Sequence, residues 1–130
     1  ADNVFEVTAV EVIEEIPAQI VQMFVRPDAS AQLSALAERG DALTLTEDGP
    51  ELLVQLMEEY GLDTLESNMT LEAVTADDWE AGLLDVPPNT PLLALSGVDL
   101  SRDRSPVAFA RTLCRSDQFQ FSFRLVRDGV

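Results

Sequence analysis

Histidine is absent from the 130 residues, and cysteine occurs once, at Cys114. Those two facts remove most side-chain chemistry. There can be no triad built on His, no imidazole metal ligand, no disulfide within the chain and no thiolate zinc set. Carboxylate, arginine and one thiol remain. Acids stand side by side at Glu14-Glu15, Glu58-Glu59 and Asp77-Asp78. Neighbours in sequence do not converge on one substrate as a general acid and base must. A turn or a helix end accounts for the first two pairs, and the positive end of a helix dipole for the third. The six glycines are scattered punctuation, with no phosphate-cradling loop, and the acids lack the spacing of a calcium loop. Cys114 ends an apolar run and reads as a small buried hydrophobe rather than a reactive thiol. Phe119, Phe121 and Phe123 could stack on nucleobases, but their period of two in an acidic chain favours core packing. No catalytic residue, metal or cofactor is expected.

The charge balance carries the same message. Twenty-four acids face eight basic residues, all Arg, for a net charge of −16. Such a chain does not grip phosphates by itself, nor an anionic membrane surface. The acidity is local: residues 1–90 hold 20 acids and 2 Arg, and residues 91–130 hold 4 acids and 6 Arg. Hydrophobic residues at 46% indicate a globular core, and the length suits one domain over 1–130. With no apolar run long enough to span a bilayer and no visible signal peptide, the expected location is the cytoplasm.

The elements that must position these residues follow from periodicity and punctuation. Residues 3–12 and 17–25 read as two strands joined by a turn at 13–16. Asp28 or Ser30 caps a helix to Arg39, with Leu33, Leu36 and Ala37 on one face and Gly40 as its stop. After a loop at 41–49, Asp48 caps a second helix with Pro50 in its first turn, Leu52, Leu53, Leu56 and Met57 at helical spacing, and Gly61 at its end. A strand follows over 63–74. Thr75 to Asp78 resembles a capping box opening a short helix with Trp79, Leu83 and Leu84, stopped by Pro87-Pro88. Three strands are predicted at 91–99, 106–114 and 118–126, the first two joined by a polar loop at 101–105. In the last, Phe119, Phe121, Phe123 and Leu125 alternate with Gln118, Gln120, Ser122 and Arg124. The order predicts an α+β fold, with helices covering one antiparallel sheet.

From Gly49 to Leu125 several segments in series resemble one family. Tyr60-Gly61-Leu62 closes the second helix. Thr70 to Val74 (TLEAV) is similar to a "TIEAV" strand. Leu84 to Leu93 (LDVPPNTPLL) is similar to "LLGVPPGTPLL". Pro106 to Thr112 with Arg115 to Phe119 is similar to "PVEYSRSLYRGDRYRF". The family is the UTRA (UbiC transcription regulator-associated) domain of HutC-subfamily, GntR-type bacterial regulators. The resemblance implies a chorismate lyase-like fold, a central antiparallel sheet with flanking helices. It implies a sensory domain that binds a small-molecule effector, forms a homodimer and, as part of a repressor, controls a separate N-terminal winged helix-turn-helix domain that alone would touch DNA. That domain is absent from these residues. The family's domain usually begins with a strand and a helix before the equivalent of Asn3, so the chain is expected to be a piece of a longer regulator or a shortened domain.

The resemblance also implies an effector site. In members that bind phosphorylated sugars, Arg side chains on the first strand and a Ser opening the second helix hold the phosphate. Those positions fall near Ala9, Glu11 and Glu51 here. A Glu and a Tyr that contact the sugar fall on Ala108 and Cys114, and a polar group of the second strand falls near Val21 or Gln22. No phosphate-binding group is present, and Glu11 and Glu51 would repel one. Ala108, Ala110, Thr112 and Cys114 share a strand face by period two, small and mostly apolar. The expected effector is therefore an apolar or cationic molecule rather than a sugar phosphate. Two other classes stay open: a dimerisation module with no ligand, and a chorismate lyase-like enzyme. The enzyme would need Arg or Lys beside a dianionic substrate, and Arg111 lies on the opposite face from Ala108 and Cys114.

Overall fold

The strand Ile16–Val25 (β2) is apolar at nearly every position, because both of its faces are covered. It pairs with Phe5–Ile13 (β1), and Ile13 opposite Ile16 leaves Glu14 and Glu15 as a two-residue hairpin turn. Both turn residues adopt left-handed backbone, with φ of 51° and 68°, as the right-handed strand twist demands. On its other side β2 pairs with Pro106–Arg115 (β5), which pairs with Pro91–Leu100 (β4), which pairs with Glu66–Thr75 (β3). The result is one antiparallel sheet of five strands, ordered β1-β2-β5-β4-β3. The computed structural model describes residues 4–41, 58–62 and 64–127.

A helix covers each face, at opposite ends of the sheet. Ala31–Arg39 (α1) starts at Ser30, whose hydroxyl accepts from Leu33 N at 3.1 Å, and stops at Gly40 in left-handed backbone, φ 75°. Leu33 lies buried with Val21, Met23, Val25, Val107 and Ala108. Leu36 is half-buried and Ala37 is exposed, so the buried stripe is narrower than periodicity predicts. On the other face Asp78–Leu84 (α2) packs Ala81 and Leu84 against Ile20, Leu92, Ala94 and Leu113. Each Leu or Ile side chain buried there contributes about 1.5–3 kcal/mol.

Three expectations change. The capping box that opens α2 is Asp77 with Glu80, not Thr75 with Asp78. Asp77 accepts from Glu80 N at 2.8 Å, and Glu80 accepts from Asp77 N at 3.0 Å. A Glu reaches back one methylene further than an Asp, which sets the frame. Trp79, named with Leu83 and Leu84 as the helix's apolar residues, is half exposed at 50%. The third change is larger. Residues 118–126 join no ladder with the described residues, and Phe123 and Leu125 are exposed at 82% and 95%. Alternation shows that a segment could present one apolar side, but it supplies no pairing partner.

Residues 58–60 are helical and Gly61 follows with φ 66°, matching the predicted end of the second helix. The loop at 42–49, the cap at Asp48 and the stripe from Leu52 to Met57 lie outside the described residues.

Candidate functional site

Among the described residues, α1 covers one end of its sheet face and leaves rows at the other end uncovered. The open rows are set by register. Ala9, Val21, Thr112, Leu95 and Leu71 stand abreast across the five strands, and Glu11, Gln19, Cys114 and Leu93 form the next row. After β5 the chain turns back over this end. Arg115 fixes the turn: its Nη2 and Nε donate to Asp117 at 2.8 and 3.0 Å, and its Nη1 donates to the Leu84 carbonyl at 3.2 Å. The ion pair holds Asp117 below, and Arg115 above, their ordinary pKa values. Ser116 Oγ also donates to the Pro91 carbonyl at 3.2 Å. Beyond this anchor Phe119 and Phe121 line one cavity together with residues of the open rows.

The space is a half-open cavity of about 240 Å³ lined by Gln19, Val21, Leu95, Thr112, Cys114, Phe119 and Phe121. None of these carries a charge. The polar atoms are the Gln19 amide, the Thr112 hydroxyl and the Cys114 thiol. Cys114 Sγ donates to Gln19 Oε1 at 3.5 Å. Burial, helped by the negative charge of Glu11, pushes the thiol up from 9.0 to about 11, so it remains protonated and a donor. Gln19 is only 3% exposed, and its Nε2 has no hydrogen-bond acceptor among the described residues.

Of the residues singled out by sequence, Val21, Thr112 and Cys114 line this cavity. Glu11 lies beside it, one strand beyond Gln19. Ala9 shares the Thr112 row but packs against the core under α1. Neither Ala9 nor Glu11 is a lining residue, and two others lie further off. Gln22 stands on the α2 face, opposite Arg111, because period two sends it away from Gln19 and Val21. Ala108 lies two rows nearer α1, where it is buried in the core and borders a second cavity of about 220 Å³ with Phe24 and Phe109. Glu51 lies outside the described residues. Sequence reasoning missed Gln19, Leu95 and the place of Phe119 and Phe121 in the lining. Period two on β2 and β4 would have placed the first two only once the register was known. Arg111, expected on the far face, is there, with its Nη1 3.2 Å from Glu80 on α2.

Sheet, helices and cavity together define the class: an α+β domain of the chorismate lyase-like type, with a small-molecule-sized cavity on one sheet face. The sequence matches the UTRA domain family over residues 1–120, and the chain belongs to that family. Solved structures with the same fold include one described as the ligand-binding domain of a GntR-family transcriptional regulator from Bordetella bronchiseptica. It is 22% identical, with a TM-score of 0.76, covering 96% of this chain and 73% of that one. The C-terminal domain of Yurk from Bacillus subtilis is 14% identical, with a TM-score of 0.74, covering 95% and 79%. PhnF from Mycobacterium smegmatis is 18% identical, with a TM-score of 0.73; the match takes 93% of this chain but 49% of that one.

Proposed function

We propose that this chain is the effector-sensing domain of a GntR-type, HutC-subfamily transcriptional regulator, a repressor that meets DNA through a separate winged helix-turn-helix domain. The effector occupies the cavity lined by Phe119 and Phe121. It is apolar or cationic and is not a sugar phosphate. The observation that carries this reading is the lining itself: seven residues without a cationic group, with Glu11 alongside. A phosphate dianion placed there would lose its water and meet no compensating charge. The same lack of Arg or Lys weighs against turnover of a dianionic substrate such as chorismate, so the cavity is read as a binding site.

Regulation then follows from linkage. An effector that binds one arrangement of the lining more tightly shifts the population towards it, and DNA affinity responds by the reciprocal factor. A homodimer fits this role, since paired operators suit paired subunits. Exposed Phe123, Leu125 and Val126 offer apolar surface for it, and light scattering at micromolar concentration tests that point.

Thermal melting tests the ligand class. Glucose 6-phosphate at millimolar concentration leaves the Tm unchanged. A true effector at a hundred times its Kd adds about 2.7 kcal/mol, which raises the Tm by several degrees. A rise of that size with the sugar phosphate overturns the reading.

A further inference from the structure

On the effector reading of the cavity, we infer that residues 118–121 are a gate through which the ligand passes, hinged at the turn after β5 and latched there by Arg115. Five of the seven lining residues belong to the sheet: Gln19 and Val21 on β2, Leu95 on β4, Thr112 and Cys114 on β5. Phe119 and Phe121 alone stand off it. Among the described residues they are the one wall that can move without opening a ladder. The hold on that wall weakens outward. Arg115 grips the turn with two hydrogen bonds to Asp117 and one to the Leu84 carbonyl, and Ser116 ties it to Pro91. Gln118 N still donates to the Arg115 carbonyl at 3.0 Å, but residues 119–127 make no backbone hydrogen bond with the described residues. Exposure rises along the same path: Phe119 is half-buried, Phe121 is 38% exposed and Phe123 82%. Two partly buried rings therefore hold the segment against the cavity, and local opening starts where the contacts are fewest. The latch also reaches past the cavity. The Leu84 carbonyl lies at the C-terminus of α2, on the opposite sheet face, where a cation suits the helix dipole. A gate held by Arg115 thus moves against α2, which connects the cavity to the far side of the sheet.

Cys114 reports on the gate, because it is the chain's one thiol, lines the cavity and is 2% exposed. The whole chain is treated with methyl methanethiosulfonate, a small neutral thiol reagent, and mass spectrometry follows the modification with time. In the wild type the rate is expected to stay nearly constant as urea is raised towards the unfolding transition, since lifting two rings exposes little surface. Asp117→Asn, which weakens the bidentate pair, raises the rate about threefold, and Arg115→Gln, which also removes the α2 contact, about tenfold. If labelling of the wild type instead accelerates with urea along the slope of global unfolding, Cys114 is reached only in the unfolded chain and the gate is overturned. That reading stands whether or not the variants fold. If the urea dependence is small but folded variants label at the wild-type rate, Arg115 latches nothing and the inference is overturned. No ligand enters this experiment, so a failed gate leaves the effector reading in place; that reading fails separately, by the absence of ligand-induced amide shifts at the cavity residues.

Discussion

Cys114 is where the chemistry of single residues is most legible. One cysteine at the end of an apolar run, in a chain without His, reads as a buried small side chain, and it is 2% exposed. Its altered acidity has a testable sign. The folded thiol ionises near 11 and the ordinary value is 9.0. Below pH 9 both folded and unfolded chains hold the proton and nothing is lost. Between pH 9 and 11 the unfolded chain releases it while the folded chain does not, so stability falls. At about 1.4 kcal/mol for each pKa unit, the loss is on the order of 2–3 kcal/mol. Urea unfolding at pH 8 and pH 11 measures it, and Cys114→Ala shows a smaller drop by that amount. The partner Gln19 was not legible. Period two tells which face a residue takes, but not which row the helix leaves uncovered, and that depends on register and on where α1 lies.

Elements were read well where local chemistry dictates them. The hairpin over 13–16, the Ser30 cap and the Gly40 stop each have a mechanism within a few residues. The hairpin also carries a flaw: Glu14 and Glu15 both hold left-handed backbone, at a cost of roughly 1–2 kcal/mol each. Replacing them by Asn-Gly, which tolerates that geometry, raises stability by about 1–2 kcal/mol in urea unfolding. Gly97 shows the opposite constraint. A Cβ there would lie 2.0 Å from the Asn68 carbonyl oxygen on β3, so Gly97→Ala forces the edge strand away. The expected loss is about 1–3 kcal/mol, and amide exchange over 66–75 accelerates with it. The sixth strand is where sequence failed, for alternation is a property of one segment and a ladder is a property of two. Phe119 and Phe121 keep the apolar role that the pattern gave them, as cavity lining instead of a strand.

At the scale of the whole molecule, α1 and α2 lie on opposite faces at opposite ends, and among the described residues each leaves part of its sheet face uncovered. On the α1 face the uncovered part meets the returning chain after β5 and becomes the cavity. Composition anticipated its character. A net charge of −16 concentrated in residues 1–90 disfavours anionic partners, and the lining contains no cation to reverse that preference. The fold class and the small face around Thr112 were readable from the segments that resemble the family. The closure by Arg115 and the two phenylalanines was not, since it depends on Leu84 and Pro91, far off in sequence. The central claim is that this cavity receives apolar or cationic ligands and refuses phosphates. Amide shift mapping of the chain with acetophenone and, separately, glucose 6-phosphate tests it most directly. The account predicts saturable shifts at Gln19, Leu95, Thr112, Cys114 and Phe119 with the ketone and none there with the sugar phosphate; saturable shifts at those residues with the sugar phosphate, or none with the ketone, would contradict it.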